Sequence, residues 1–111
     1  MNVLTINEAT LMMAVWRLRE NAYGVKVKKH VSEITEKEWN YGTLYCMLDQ
    51  LASKGYLSKE TGEPSPERGG RRKIFYSLTR EGLTALKGAY KLHQALWQGV
   101  SDIAFDEGKI S

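Results

Sequence analysis

The most pointed chemistry in this chain belongs to Arg68, Arg71, Arg72 and Lys73, four cations set around Gly69 and Gly70. Such a stretch makes and breaks no bonds, but it attracts phosphate. Arginine is the side chain most often placed in a narrow minor groove, and glycine lets a backbone come close to a duplex. A second group, Asn40, Tyr41, Thr43 and Tyr45, gathers a carboxamide and three hydroxyls, with Asp49 and Gln50 further along. Signatures of catalysis are poor by comparison. His30, His93 and Cys46 are isolated and lack metal-ligand spacing. There is no G-x-S-x-G, no phosphate-binding Gly-Lys loop and no cluster of carboxylates. The expectation is therefore no enzyme, no metal and no cofactor. Cys46, inside a helix with no base beside it, is expected to be a small buried thiol.

Helices and one hairpin must position these groups. Asn7 followed by Glu8 reads as a helix N-cap with an acid in the first turn, and Leu11, Met12, Val15, Trp16 and Leu18 recur at helical period to about Arg19. A second helix is expected from Tyr23-Gly24 to about Ile34, with Val27, Val31 and Ile34 inward. A third starts at Asn40, an N-cap residue, carries Leu44, Leu48 and Leu51 on one face, and ends before Gly55. Tyr56–Thr61 and Lys73–Leu78 read as strands, and the intervening Gly62–Gly70 holds both prolines of the chain, as a hairpin tip would. Thr79 caps a last helix that the apolar pattern carries beyond Val100.

Helix, helix, helix, hairpin, helix is the order of a winged helix-turn-helix with a C-terminal helix. The fold class predicted is mainly α with a small β-hairpin (α+β). Residues 1–79 would form the winged helix-turn-helix, 80–105 a dimerisation helix and 106–111 a flexible tail. In a helix-turn-helix the second helix of the motif enters the major groove, about 12 Å wide, N-terminus first, so side chains of its first turns meet base edges. That assigns Asn40, Tyr41, Thr43, Tyr45 and Gln50 to recognition, Arg68, Arg71, Arg72 and Lys73 to a wing, and Tyr23, Lys26 and Lys28 to the DNA backbone. The bland alternatives are that Asn40 merely caps, that the tyrosines pack, and that the basic turn only aids solubility; for Tyr45 the two readings are balanced. The rival function is a winged helix that binds another protein and no DNA.

The final helix has its own pattern. Leu83, Leu86, Tyr90, His93, Trp97, Val100 and Ala104 alternate at three and four residues, the spacing of a coiled-coil seam, and Ala89, Leu92, Leu96 and Ile103 run beside them. So wide an apolar surface needs two things to pack against, here the first helix of its own domain and a second copy of the chain. Near a two-fold axis Trp97 would approach its own copy, so Trp97 and Trp16 could hold a small planar aromatic effector. The plainer role for Trp97 is to fill the dimer core, the commoner fate of an aromatic at helical spacing.

Bulk properties agree. The chain has 111 residues, 42% hydrophobic and 26% charged, about one domain's worth of ordinary globular composition. The net charge is +3, and Asp102, Asp106 and Glu107 against Lys109 leave the excess of cations in the body of the chain. One cysteine excludes an internal disulfide, and the longest apolar run, Leu11–Trp16, is far short of the roughly 18 residues of a membrane span. A cytoplasmic, nucleoid-associated location with no membrane partner is expected.

Several motifs in order carry a resemblance. Tyr23-Gly24, Tyr41-Gly42-Thr43-Leu44-Tyr45, Leu48-Asp49-Gln50-Leu51 and Lys54-Gly55-Tyr56-Leu57 are followed by Gly62-Glu63-Pro64, Glu67 through Lys73 and Tyr76 through Gly82. Over residues 4–98 the chain resembles the PadR family of bacterial regulators. The resemblance implies a homodimeric transcriptional regulator, usually a repressor, on a pseudo-palindromic operator. It implies recognition by Tyr41, Thr43 and Tyr45, a wing with Arg71 and Lys73, and dimerisation through one C-terminal helix and the N-terminal helix. It also implies that an aromatic effector could bind at the dimer interface. Cys46 stands where many members carry proline.

Overall fold

The structure is a computed structural model and describes residues 3–64 and 72–100. Its elements are α1 (Ile6–Leu18), α2 (Gly24–Thr35), α3 (Tyr41–Ser53), β1 (Leu57–Pro64), β2 (Arg72–Leu78) and α4 (Arg80–Trp97), with a 3₁₀ turn at Arg19–Asn21 after α1. The predicted class holds: mostly helical, with one antiparallel hairpin pairing Leu57 with Leu78 and Thr61 with Ile74. Of the expected tip, Gly62–Pro64 extend β1 instead; the remainder to Gly70, with Arg68, then Arg71, and the tail from residue 101 onward lie outside the described residues.

The core follows from the helical spacings. Leu11, Met12 and Val15 of α1, Val27 and Val31 of α2, and Leu44, Leu48 and Leu51 of α3 are fully buried together, joined by Leu57 and Tyr76 of the hairpin and Leu86 and Ala89 of α4. Burying a side chain of this size stabilises by about 1.5–3 kcal/mol, so this three-helix contact dominates the fold. The link between α2 and α3 carries an anchor that periodicity does not reveal. Trp39 is buried, donates its indole N–H to Thr35 Oγ1 at 2.9 Å and receives Lys37 Nζ at 5.5 Å from its ring centre. With Glu36 in the left-handed region at φ 55°, this pins the turn between the two helices.

The N-cap of α1 is Thr5 and not Asn7, because Thr5 satisfies two orphan groups at once. Its hydroxyl accepts the Glu8 N–H at 3.0 Å while its own N–H donates to Glu8 Oε1 at 2.8 Å, a capping box. Lys54 Nζ reaches the other Glu8 oxygen at 2.8 Å and so ties α1 to the end of α3. Burial pushes the Glu8 carboxyl up, but the bonds from Lys54 and Thr5 outweigh it and hold the group below its ordinary value of 4.5. A depressed carboxylate stabilises the fold above that value and stops doing so as pH falls through its folded-state value. Glu8→Gln should thus cost about 0.5 kcal/mol at neutral pH, since glutamine keeps the box but not the charge. In urea titrations the gap between the two proteins should close below about pH 4.5; a gap that stays constant to pH 3 contradicts the assignment.

At the other end, α4 stops at Trp97, short of the expected end. Gln98 turns extended, Gly99 adopts φ 83°, and Val100 N–H bonds back to Trp97 C=O at 3.1 Å. Cys46 is exposed, contrary to expectation. It lies about 200° around α3 from Leu44, on the face away from the core.

Candidate nucleic-acid interface

Asn40 caps α3 as expected, its Oδ1 accepting the Thr43 N–H at 3.2 Å. The carboxamide oxygen is thereby engaged, so Asn40 sets the start of the helix before it can do anything else. Tyr41, Gly42 and Thr43 form an exposed first turn, with the backbone N–H groups of a helix start, which favour a phosphate. The Tyr41 and Tyr45 rings stack with centres 6.1 Å apart and planes 19° from parallel. Tyr45 is half-buried, and its hydroxyl sits 1.8 Å from where a Cβ on Gly24 would lie. Gly24 is therefore the space into which Tyr45 packs, which moves Tyr45 from the reading face toward the joint between α2 and α3. Gln50 remains exposed further along α3. Its neighbour Asp49 pairs with Lys59 Nζ at 2.7 Å, so the helix is tied to β1 and this carboxylate is charge-balanced. Beneath them, Tyr76 is pushed up to about 12 by burial, with Asp49 and Tyr45 adding to it, and stays protonated as a core hydroxyl.

The expected backbone contacts divide. Tyr23 is the N-cap residue of α2 and packs edge-on against Phe75 at 5.4 Å and 72°, while Lys73 Nζ lies 4.3 Å from its ring centre. Ala22 C=O accepts the Tyr76 N–H at 2.8 Å just beside it. The start of α2 and the base of the wing are thus one unit, and Tyr23 serves to hold Lys73. Lys26 is exposed on α2. Lys28 is mostly covered: its ammonium pairs with Glu38 and stands 4.9 Å from the centre of the Tyr41 ring. Arg72 opens β2, opposite Pro64. Glu38 had no signal in the sequence, because its partner lies ten residues away across a turn.

The seam residues also divide. Leu86, expected at a dimer interface, belongs with Ala89 to the core of its own protomer. Leu83, Tyr90, Leu92, Leu96 and Trp97 are exposed, His93 is half-buried, and Val100 lies past the end of the helix. Trp16 is exposed on α1 with the Arg19 guanidinium 4.5 Å from its ring centre. It lines a cleft of about 570 Å³ between α1 and the hairpin, in which Trp97 takes no part. Among the described residues no three His, Cys, Asp or Glu side chains gather to hold a metal, and no helix is long and apolar enough to cross a membrane.

Comparison with known proteins places this geometry. The Transcriptional regulator PadR-like family matches residues 12–88. Among curated proteins none matches the chain. A PadR-like transcription factor from Bacteroides fragilis is 25% identical with a TM-score of 0.70, over 89% of this chain and 90% of that one. A PadR family transcriptional regulator from Eggerthella lenta is 28% identical with a TM-score of 0.67, over 85% of this chain and 80% of that one. RosR of Halobacterium salinarum is 25% identical with a TM-score of 0.64, over 96% of both chains. The exposed start of α3, the wing base joined to α2 through Tyr23 and the family match over most of the chain agree: this chain belongs to the PadR-like family of transcriptional regulators.

Proposed function

We propose that the chain is a homodimeric repressor that binds a pseudo-palindromic operator in double-stranded DNA, with α3 in the major groove and the wing beside it. The observation that carries this is the exposed, Asn40-capped first turn of α3, on a helix tied to the hairpin by the Asp49–Lys59 pair, with the hairpin's base fixed to α2 by the Tyr23–Lys73 contact. Phosphate contacts from Arg68, Arg71, Arg72, Lys73 and Lys26 position the protein, and Tyr41, Thr43 and Gln50 read bases. The exposed line Leu83, Tyr90 and Trp97 on α4, with α1, supports pairing with a second copy. The protein acts in the cytoplasm on the nucleoid, and a planar aromatic effector held by Trp97 at the interface between two copies would release it.

Selection of bound duplexes from a random pool, with sedimentation of the complexes, tests this reading. The expected product is two inverted half-sites about one helical turn apart, bound by two chains. Planar aromatic compounds added to those complexes should free the DNA in a manner abolished by Trp97→Phe; if they do not, Trp97 is packing only. Recovery of no duplex at low salt would instead leave a winged helix that binds protein.

A further inference from the structure

Lys28 belongs by position with the cations expected to meet the DNA backbone, but its surroundings give it another task. Its side chain is only 17% exposed, while that of Glu38, its ion-pair partner, is 82% exposed. The same ammonium stands 4.9 Å from the centre of the Tyr41 ring, within the range of a cation–π contact. The Tyr41 ring is in turn stacked on Tyr45, which is wedged against Gly24 of α2. To reach a phosphate, Lys28 would have to leave both the carboxylate and the ring.

We infer that Lys28, held by Glu38, is a positioning residue that fixes the Tyr41 ring between itself and Tyr45 and so sets base preference without neutralising a phosphate. This rests on the reading of α3 as the recognition helix. A tyrosine at the first position of a helix has two freely rotating side-chain torsions, and at 44% exposure Tyr41 has little packing to choose between them. The stack on one side and the ammonium on the other reduce that choice. A ring already in its reading orientation need not be ordered when DNA binds, and a competing sequence that needs another orientation is disfavoured. Glu38 makes this arrangement durable: it draws Lys28 to the ring and discourages the lysine from turning to phosphate. The chain Gly24, Tyr45, Tyr41, Lys28, Glu38 thus carries the packing of α2 against α3 out to the edge that meets the bases.

The test uses the full chain and the site recovered by selection, and compares Lys28→Met, Lys28→Arg, Tyr41→Ala and the Lys28→Met/Tyr41→Ala double variant. Methionine keeps the length of the stem, and Glu38 is exposed enough to lose its partner without unfolding the protein, which circular dichroism verifies. Lys28→Met should leave the slope of log affinity against log salt unchanged and reduce discrimination about tenfold at the base pair where Tyr41→Ala reduces it. The double variant should lose no more than Tyr41→Ala alone, because one residue acts through the other. Lys28→Arg, which keeps both the ring contact and the ion pair, should restore the preference. In the protein without DNA, the Lys28 ε-methylene protons should be shifted upfield by the tyrosine ring and lose that shift in Tyr41→Ala. A slope shallower by about 0.9 per lost contact, with an even loss across all sequences, would make Lys28 a phosphate contact and overturn the inference. So would additive effects in the double variant, no loss of preference in Tyr41→Ala, or no ring shift on Lys28. Failure of the wild-type chain to bind any duplex would overturn the underlying reading of α3 instead, and the two failures are distinguished by that control.

Discussion

If the chain binds its operator as the proposed dimer, raising salt from about 50 to about 200 mM will weaken binding by about three orders of magnitude. Each phosphate neutralised by lysine or arginine releases condensed counterions, and log affinity falls with log salt by about 0.9 per contact. If three of the four wing cations in each protomer find a phosphate, the pair of wings neutralises about six, giving a slope near −5. Arg71→Ala with Arg72→Ala should make that slope shallower by roughly 2–4 and weaken all sequences alike, since phosphate contacts carry no base information. Lys73 is a partial exception within the group. Its ammonium lies on the Tyr23 ring, so Tyr23→Leu should soften the slope slightly without touching a charge. Fluorescence anisotropy titrations at four salt concentrations measure all of this. A double arginine variant with the wild-type slope would show that the wing does not meet DNA.

Gly82→Ala will destabilise the fold by about 3 kcal/mol, although alanine ordinarily improves a helix by about 1 kcal/mol over glycine. A Cβ at Gly82 would stand 2.1 Å from the Tyr56 carbonyl oxygen, 3.0 Å from its carbon and 3.2 Å from Leu78 Cδ2. Neither side can yield cheaply. The Tyr56 oxygen accepts the Thr79 N–H at 3.1 Å and the Tyr56 N–H donates to Leu51 C=O at 3.0 Å. Thr79 in turn caps α4, accepting the Gly82 N–H at 3.0 Å and donating to Gly55 C=O at 2.6 Å. Moving the start of α4 therefore moves the turn between α3 and β1. Gly88 supplies the control: it lies in the same helix, a Cβ there meets nothing within 4 Å, and Gly88→Ala should stabilise by up to about 1 kcal/mol. Denaturant midpoints for the two variants should move in opposite directions. A Gly82→Ala protein as stable as the wild type would mean that α4 is not seated as described.

Much of this architecture is legible in the sequence because its signals are local. Asn40, the Leu44, Leu48, Leu51 spacing and Gly55 together delimit α3, and Thr79 marks the start of α4. The cap of α1 was readable as well: Thr5 and Glu8 stand at the spacing of a capping box, a stronger signal than Asn7 beside an acid. Cys46 lies off the Leu44 face by simple helical geometry, so its exposure also follows from position. Other features depend on partners far along the chain. The fate of Tyr45 is settled by the gap at Gly24, and Lys28 is paired with Glu38 across a turn. Trp39 is one apolar residue in a polar link and has no period to announce it. The apolar pattern of α4 runs on past Trp97, but Gly99 in a left-handed conformation ends the helix regardless.

The seating of α4 has a consequence for how the molecule behaves in dilute solution. Its first half is fixed by Gly82, Leu86 and Ala89, whereas Tyr90, Leu92, Leu96 and Trp97 are largely exposed. None of residues 90–97 is fully buried, so this stretch draws less on packing and more on helix propagation, which alone is marginal in water. Amide protons of residues 92–97 should therefore exchange with solvent orders of magnitude faster than those of α3, and a protease that cuts after leucine or aromatic residues should trim this end first. Association would quench both, since a ligand of the folded state, including a second copy, stabilises by mass action. If the chain pairs as proposed, its abundance would then set the lifetime of the end of α4: scarce chains are cut there, and chains numerous enough to pair are protected.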